Sequence, residues 1–417
     1  MEPISTTVAI AGGGPAGMLL GLLLARAGID VTVVEKHKDF FRDFRGDTIH
    51  PSTLEIMDEL GVLGRFLARP HQEAHEITAE IGKESFKVAD FSRLPTRCKF
   101  LGLMPQWDFL DFIASEAHAF PGFHLMMETE MVDLLEQGGR VVGMRVRNAA
   151  GMRDIRAALT VGADGRASRV RERARLEVME LGAPFDALWL KLPATPEDPT
   201  GPVGRIQGGQ FFVMLYRGDY WQCALIIPKG GFSQLKAEGL SGFRSRLRAV
   251  AGFARDRVDS IASFDDVHLL TVKVDRLRRW ARRGLLCIGD AAHAMSPVGG
   301  VGINLAIQDS VATANLVVPL LTKRRVPSLS QLDRIQRRRN LPTRATQWVQ
   351  VQVQNRVLAP NFKKQTTPRP PLVLKLLNRS SWLRQFPARL VGLGLRREHV
   401  RTPLRAAEPS ASATAAE

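Results

Sequence analysis

A glycine-rich turn between an apolar strand and an apolar helix constrains the fold of this chain more than any other feature. Residues 6–11 are β-branched and apolar, residues 12–17 read GGGPAG, and a helix-forming stretch follows up to Gly28. A second apolar run at residues 31–34 ends at Glu35. This order of strand, GxGxxG turn, helix, strand and acid is the dinucleotide fingerprint, and it predicts a parallel α/β domain of the Rossmann type.

The glycines of the fingerprint have separate physical roles. Gly12 permits the tight turn, Gly14 lets the backbone approach a pyrophosphate, and Gly17 lets the helix pack close to the strand. The Glu35 carboxylate would accept hydrogen bonds from the diol of a ribose. The motif alone does not distinguish FAD from NAD.

A second glycine-rich stretch, residues 284–309, also leads from a strand to a helix. Its apolar run at residues 285–288 predicts a buried strand that ends at Gly289 and Asp290. After a loop, apolar residues return at helical spacing over residues 303–321. The loop therefore ends at a helix N-terminus, which attracts negatively charged groups.

A third turn of this kind and two pairs of alternating segments complete the pattern. Residues 158–161 predict a buried strand that runs into Asp164 and Gly165, whereas residues 77–91 and 210–228 predict antiparallel hairpins. We therefore expect a discontinuous nucleotide-binding domain with antiparallel sheet inserted twice. The expected boundaries are 1–75, 98–180 and 268–330 for the nucleotide-binding domain, 76–97 and 181–267 for the inserted sheet, 331–405 for a basic C-terminal helical region and 406–417 for a disordered tail.

Length and composition bound the class of protein. The chain has 417 residues and 45% hydrophobic content, enough for more than one core. Its three cysteines are sparse and lack CxxC spacing, so we expect neither a disulfide framework nor a metal site. We find no run of about 18 consecutive apolar residues and no basic leader, so we expect neither a spanning helix nor a signal peptide. These features favour the cytoplasm.

The formal net charge of +16 is concentrated in the C-terminal part of the chain. Residues 321–405 hold 20 Lys and Arg against Asp333 and Glu398. The mixture of apolar runs and arginines at residues 372–397 suits two alternatives: peripheral contact with an anionic membrane, or a helical cap packed on the first domain. No recognition motif accompanies the charge, so nucleic acid is not an expected partner.

Together, the three turn motifs resemble those of the flavin-dependent monooxygenases of the para-hydroxybenzoate hydroxylase fold. The motifs are Gly12-x-Gly14-x-x-Gly17 with Glu35, then Asp164-Gly165-x-x-Ser168-x-x-Arg171, then Gly289-Asp290 followed by Pro297-x-x-Gly300-x-Gly302-x-Asn304-x-x-x-x-Asp309. The resemblance covers residues 1–320 in organisation. It implies a Rossmann-like FAD-binding domain with an inserted, mainly antiparallel substrate-binding sheet.

The resemblance also implies where FAD is held. The first motif would bind the ADP half with Glu35 at its ribose, Arg45 would lie near the pyrophosphate, and the turn at Asp164 is associated with FAD and pyridine-nucleotide handling. Asp290 would bind the ribityl chain, and residues 297–304 would line the isoalloxazine ring. The residues expected at FAD are Gly12, Gly14, Pro15, Ala16, Gly17, Glu35, Lys36, Arg45, Gln106, Asp164, Gly165, Asp290, Pro297, Gly300, Val301, Gly302, Ile303 and Asn304.

The implied activity is that of a monooxygenase that uses FAD, NADH or NADPH as a transient reductant, and O2 as co-substrate. One oxygen atom would pass from a flavin C4a-hydroperoxide to an apolar molecule, which is hydroxylated or epoxidised. Two alternatives stay open. One is a flavin-dependent reductase or dehydrogenase that acts on an isoprenoid-type substrate, and the other is a non-catalytic FAD-carrying binding protein.

Two further sets of residues are candidates for the chemistry itself. Asp47 and His50 carry titratable groups near Arg45 and are candidates for proton handling, whereas we expect His293 to be a structural loop residue. The aromatic residues of the inserted sheet are candidates for substrate binding, which favours an aromatic or polycyclic substrate. These residues are Phe212, Tyr216 and Trp221.

Overall fold

The computed structural model describes residues 2–41, 48–199, 201–364 and 370–405. Its strands are β1 (Ile4–Ala11), β2 (Val31–Val34), β3 (Thr48–Ile49), β4 (Gln72–Ala74), β5 (Glu76–Ile81), β6 (Glu84–Asp90), β7 (Leu101–Leu103), β8 (Phe123–Met126), β9 (Glu130–Gln137), β10 (Arg140–Asn148), β11 (Gly151–Gly162), β12 (Val178–Glu180), β13 (Phe185–Pro193), β14 (Val203–Gln207), β15 (Gln210–Tyr216), β16 (Tyr220–Pro228), β17 (His268–Leu270), β18 (Asp275–Leu277), β19 (Ala281–Arg282) and β20 (Leu285–Cys287). Its α-helices are α1 (Pro15–Arg26), α2 (Pro51–Glu59), α3 (Leu63–Leu67), α4 (Gln106–His118), α5 (Arg169–Arg173), α6 (Phe232–Ala237), α7 (Gly239–Val250), α8 (Gly302–Leu321), α9 (Leu329–Val353), α10 (Ala359–Lys364), α11 (Leu372–Arg379) and α12 (Gln385–Gly392).

The main sheet is mostly parallel and carries the nucleotide fingerprint. Within the described residues its strand order is β19-β20-β11-β1-β2-β8, with β10 and β9 added in antiparallel pairing beside β11. The strands β20, β11, β1, β2 and β8 run parallel to one another. Both faces of such a sheet are covered, which explains why its strands are almost continuously apolar.

The apolar helices α1 and α8 pack against each other on this sheet. The residues of α1 from Ala16 to Ala25 are all buried, and α1 contacts both α4 and α8. By length and composition alone, the described segment 298–321 could cross a membrane, but 78% of its apolar window is buried inside the protein. A helix that is apolar on all sides therefore forms part of the core here.

The second sheet draws its strands from two separate parts of the chain. Its order is β17-β13-β16-β15-β14-β5-β6, and the pair β14–β5 is parallel while the other pairs are antiparallel. One face packs on α6 and α7, and the other face packs against the apolar residues Leu358 and Val298. The predicted mixed α/β architecture is confirmed.

The C-terminal region wraps around both sheets. Helix α9 packs on α8, whereas α11 and α12 both contact β6. The chain then returns to α1, where the Arg405 amide donates to the Arg26 carbonyl over 3.0 Å. The predicted tail at residues 406–417 lies outside the described residues.

Candidate functional site

Four loops that follow adjacent strands meet at one edge of the main sheet. The register pairs Ala11 with both Gly162 and Val34, and Gly162 with Cys287. Since these strands are parallel, their carboxyl ends lie side by side at the edge where α/β sheets bind ligands. The loops begin at Gly12, Glu35, Ala163 and Ile288. The sheet therefore brings all three turn motifs into one rim.

The first loop is shaped for a close ligand approach. Gly12 has φ +105°, and a Cβ there would lie 2.3 Å from the Ala163 carbonyl oxygen. A Cβ on Gly17 would lie 1.9 Å from the Gly12 carbonyl oxygen, so the turn and helix α1 pack with no room for a side chain. By contrast, a Cβ on Gly14 would meet no atom within 4 Å. The N-terminus of α1 thus faces open space, as pyrophosphate binding requires.

The Glu35 carboxylate is held in place by the backbone. Its Oε2 accepts a hydrogen bond from the Gly13 amide over 2.9 Å, and its Oε1 accepts one from the His37 amide over 3.1 Å. Glu35 therefore lies next to the glycine turn, where the dinucleotide fingerprint places the acid that binds a ribose.

The second loop is built around the half-buried carboxylate of Asp164. This group accepts hydrogen bonds from the Ser168 hydroxyl over 2.5 Å and from the Val170 amide over 3.0 Å. Burial raises the pKa of Asp164 above its ordinary value, although these hydrogen bonds oppose the shift. Ser168 in turn caps helix α5 by accepting from the Arg171 amide. The motif thus fixes the shape of its own turn.

The second and third motifs are joined by an ion pair. The Arg166 Nε donates to the Asp290 Oδ2 over 3.0 Å, and both side chains are about 30% exposed, at 31% and 30% respectively. The Arg166 Nη1 is buried and has no hydrogen-bond partner among the described residues. Asp290 and an unpaired guanidinium nitrogen therefore stand together at the rim, where a polar ligand would satisfy both.

A second connection runs from Arg171 through a buried carboxylate. The Arg171 Nη1 lies 3.2 Å from the Asp275 Oδ1, and the same oxygen accepts from the Ala294 amide over 3.3 Å. Arg171 is 11% exposed and Asp275 is 5% exposed at the side chain. Through Asp275, Arg171 at the end of the second motif thereby positions the backbone of the third motif at Ala294.

The loop from Pro297 to Asn304 is fixed by side chains from two helices. The Gln350 Nε2 on α9 donates to the Ser296 and Val298 carbonyls over 2.9 and 2.8 Å. At the other end, the Asn304 Oδ1 accepts from the hydroxyls of Ser52 and Thr53, which open α2, over 2.8 and 3.1 Å. These contacts hold the loop at the start of α8, whose N-terminus favours negative charge.

The rim fits FAD at three independent points. The open space before Gly14 suits the pyrophosphate, the unpaired Arg166 nitrogen beside Asp290 suits a polar chain, and the start of α8 suits an electron-rich ring. A family model described as "FAD binding domain" matches residues 5–349. This chain belongs to that FAD-binding family.

Comparison with known proteins identifies the class of flavoprotein. The chain is 36% identical over 371 residues to a 6-methylpretetramide 4-monooxygenase from Streptomyces rimosus, over 88% of this chain and 87% of that protein. A solved probable FAD-dependent monooxygenase from Pseudomonas aeruginosa aligns with a TM-score of 0.73 at 22% identity, over 87% of this chain and 99% of that one. An anhydrotetracycline hydroxylase from Streptomyces rimosus aligns with a TM-score of 0.73 at 21% identity, over 93% and 76%.

These comparisons confirm the predicted resemblance, the FAD cofactor and the class of enzyme. This member of the FAD-binding family is a flavin-dependent monooxygenase, and NAD(P)H and O2 are the co-substrates of its class. The positions of FAD-contacting side chains stay predictions that rest on the geometry above.

The remaining predicted FAD residues are placed on the same framework. Pro15 and Ala16 open α1, Gln106 is the first residue of α4, and Lys36 follows Glu35 on the rim. Val301 is the N-cap of α8, and Gly302 and Ile303 begin it. Gly165 has φ +82°, and Gly300 has φ +62° with Thr48 packed beside it. Arg45 and Asp47 lie outside the described residues.

The structure places His50 in a buried position between α12 and the flavin loop, and its role in proton handling stays a prediction. Its side chain is completely buried, its Nδ1 lies 2.7 Å from the Val391 carbonyl, and its Nε2 lies 2.9 Å from the Gly300 carbonyl. Burial lowers the pKa of His50, while the two carbonyls oppose that shift. In its neutral form the His50 ring donates to one of these two carbonyls, and it lies between α12 and the flavin loop.

A buried cluster of titratable side chains and an arginine supports the third motif, and it was not predicted from the sequence. The Asp309 Oδ2 accepts from the Gly289 amide over 3.1 Å and lies 2.6 Å from the His293 Nε2. The Asp309 Oδ1 accepts from the Arg339 Nε over 3.0 Å, and Arg339 also reaches Glu398 over 3.4 Å. The side chains of His293, Asp309, Arg339 and Glu398 are at most 1% exposed. The signal in the sequence was Asp309 itself, a charged residue inside an apolar helix.

His293 belongs to this cluster, in agreement with its expected structural role. Its ring packs on Trp280 with centroids 4.9 Å apart. The attractions of His293 and Arg339 outweigh burial and keep the pKa of Asp309 below its ordinary value. The carboxylate is therefore ionised where it receives the Gly289 amide.

The predicted substrate residues lie on the face of the inserted sheet that packs on α6 and α7, and their role in substrate binding stays a prediction. Phe212 and Trp221 are fully buried in a cluster with helices α6 and α7, and Tyr216 packs against the same cluster. The Trp221 Nε1 also donates to Asp198 over 2.8 Å. Since side chains alternate along a strand, the neighbouring residue Phe211 lies on the opposite face. There Phe211 packs in a cluster that contains Val298 of the flavin loop.

Proposed function

We propose that this flavin-dependent monooxygenase hydroxylates an apolar polycyclic aromatic molecule. The observation that carries the proposal is the apolar sheet face opposite the flavin loop, where Trp189 and Phe211 join one cluster with Val298. The identity of 36% to a 6-methylpretetramide 4-monooxygenase supports a substrate of this kind. Flat apolar rings gain most from burial against such aromatic and aliphatic side chains.

The residues of the rim would hold the cofactor in an orientation fixed by backbone contacts. Gly12, Gly14 and Glu35 would hold the adenosine half, Asp290 with Arg166 the polar chain, and residues 297–304 the ring. When bound, FAD supplies two-electron chemistry with NAD(P)H and the activation of dioxygen. In the overall reaction, substrate, O2, NAD(P)H and a proton give hydroxylated product, water and NAD(P)+.

The protein contributes orientation, charge stabilisation and the exclusion of water. The start of α8 favours negative charge at the ring because its first backbone amides lack intrahelical partners. The apolar cluster around Val298 excludes water from the space between loop and sheet. The hydrogen bonds from Gln350 prevent the loop from moving away from that cluster.

Rapid mixing under anaerobic conditions tests the proposal directly. The purified holoenzyme should be reduced by NADH or NADPH, faster with a polycyclic phenol or ketone present, and on aeration the product should gain one atom from isotopically labelled O2. A flavin that stays oxidised with both nucleotides in the presence of substrate would argue against the monooxygenase. Reduction without oxygen transfer would instead favour the reductase alternative, and bound flavin without turnover would favour the binding-protein alternative.

We also propose that the protein works in a reducing compartment such as the cytoplasm. Cys98, Cys223 and Cys287 are all buried free thiols. Fluorescence microscopy of the tagged chain in its source cell would test this location.

A further inference from the structure

We propose that helix α11 and the turn after it form a docking surface for an anionic lipid bilayer. This docking surface, defined as residues 372–386, is separate from the FAD rim. The proposal does not depend on the oxygen chemistry, so the two can fail independently.

The docking surface exposes large apolar side chains in close succession. None of the eight residues of α11 is buried, and Leu372, Val373 and Leu376 are 77%, 64% and 57% exposed. Trp382 and Phe386 follow at 61% and 57%, in edge-to-face contact with ring centroids 5.0 Å apart. Single exposed apolar residues are ordinary, but a series of them marks an interaction surface. Tryptophan and phenylalanine are also typical of helices that lie in a membrane interface.

Contacts on the inner side of α11 determine which residues face outwards. Leu374 packs on the cluster of Ile81, Phe86 and Ile206, and the Asn378 Oδ1 accepts from the Lys87 amide over 3.2 Å. Residues four apart share one face of a helix, so Leu374 and Asn378 define the inner face. Leu372 and Leu376 lie about half a turn away and face solvent, as their exposure shows.

The charge of the surface identifies the partner. Every charged residue of the docking surface is basic: Lys375, Arg379 and Arg384. Lys375 and Arg379 are exposed on α11 beside the apolar residues. A second copy of this chain would bring like charges together, whereas anionic headgroups would neutralise them. Apolar groups flanked by Lys and Arg therefore fit an anionic membrane interface better than a symmetric dimer.

The position of α11 places the docking surface near the proposed substrate space. Leu374 belongs to a cluster that includes Phe211, and Phe211 also packs in the cluster that contains Val298 of the flavin loop. Apolar side chains thus connect the docking surface with the space beside the loop. An apolar molecule dissolved in the bilayer would meet the enzyme on this side.

Flotation of the FAD-loaded enzyme with vesicles tests the proposal. Vesicles of mixed phosphatidylcholine and phosphatidylglycerol should carry the protein at low salt, more weakly at high salt, and vesicles of phosphatidylcholine alone should carry less. The double substitution Leu372→Ser with Leu376→Ser should lower the partition coefficient at least tenfold, equivalent to about 1.4 kcal/mol. Lys375→Glu with Arg379→Glu should remove the preference for anionic vesicles.

A matched control and a sedimentation experiment make the result decisive. Leu341 and Trp348 on α9 are each 64% exposed, so Leu341→Ser with Trp348→Ser removes similar apolar area elsewhere. Unchanged flotation in this control supports the proposal, and loss of flotation there would move the surface to α9 and overturn it. If the wild type self-associates without lipid and the α11 variant does not, the surface is a contact between copies and the proposal is wrong. Failure of the wild type to float would also overturn it.

Discussion

Asp309 joins three parts of the chain through one buried carboxylate. Its two oxygens receive the Gly289 amide, His293 and Arg339, which come from the third motif and from α9. A carboxylate with this many charge-assisted partners stays ionised in the core. The geometry of the rim near Asp290 therefore depends on a residue that does not face the cofactor site.

We predict that Asp309→Asn destabilises the enzyme and weakens FAD binding. The substitution keeps the shape but leaves Arg339 buried with less negative charge, and breaking a buried pair costs about 3–5 kcal/mol. Thermal unfolding and the ratio of flavin to protein absorbance measure the two effects. The exposed substitution Asp265→Asn is the control and should change neither. Full flavin retention in Asp309→Asn would contradict the positioning role.

His50 predicts a pH dependence of stability. Its pKa in the folded state is lowered by burial, so the unfolded chain takes up the proton more readily. The contribution of His50 to stability is complete above the ordinary pKa of about 6.5 and is lost as pH falls towards the folded value, by at most about 1.4 kcal/mol per pH unit. Chemical denaturation between pH 7.5 and about pH 5 should show this slope in the wild type. In His50→Gln the curve should be flatter, and parallel curves would refute the assignment.

Adjacent residues of strand β15 face opposite sides of the inserted sheet. Phe212 faces the cluster under α6 and α7, while Phe211 faces the cluster beside the flavin loop. The cross-strand register places Phe212 opposite Leu225 and Phe211 opposite Ile226, so the two faces are consistent along the sheet. Adjacent phenylalanines thus offer a matched pair of substitutions.

We predict that Phe211→Ala and Phe212→Ala have different effects. Phe212→Ala should lower the unfolding free energy by about 3–5 kcal/mol, because it opens a cavity in a closed core. Phe211→Ala should cost less stability but raise KM for an apolar substrate and increase NAD(P)H oxidation without product. Denaturation curves and the ratio of product formed to NAD(P)H consumed separate the two. Equal effects on KM would place the substrate elsewhere.

Some of these elements could be predicted from the sequence, and others could not. The turns at Gly12, Asp164 and Gly289 were predictable because each follows an apolar strand, and parallel strands bring their carboxyl ends together. The face of β15 was not, since residues 211–215 (FFVML) are apolar without interruption and contain no alternation that marks a buried side. The partners of Asp309 could not be predicted from the sequence for another reason. Arg339 is 30 residues away, so only the packing of α9 on α8 brings it near.

At the scale of the whole molecule, the C-terminal segment closes the FAD domain. Glu398 pairs with Arg338 and Arg339, and the Asn315 Nδ2 on α8 donates to the His399 carbonyl over 2.8 Å. The Arg26 Nη1 on α1 donates to the Thr402 carbonyl over 3.1 Å. This segment therefore ties α1, α8 and α9 together behind the rim.

We predict that a chain ending at Leu395 loses both stability and FAD. Without Glu398, the buried Arg339 has only Asp309 as an ionic partner among the described residues, and the backbone contacts to α1 and α8 are absent. A chain ending at Arg405 keeps all of these contacts and is the control. The midpoint of thermal unfolding and the flavin content after gel filtration are the measurements. Normal flavin content in the shorter chain would show that the segment is dispensable.

The ion pair between Glu398 and Arg339 also determines when the FAD domain can complete its folding during synthesis. During synthesis the chain leaves the ribosome from its N-terminus, so the glycine turn at Gly12 emerges almost four hundred residues before Glu398. The ion pair between Arg339 and Glu398 can form only after residue 398 has left the ribosome. The backbone at Gly289, which Asp309 and Arg339 hold in place, therefore gains its full support only after the C-terminal segment has been made.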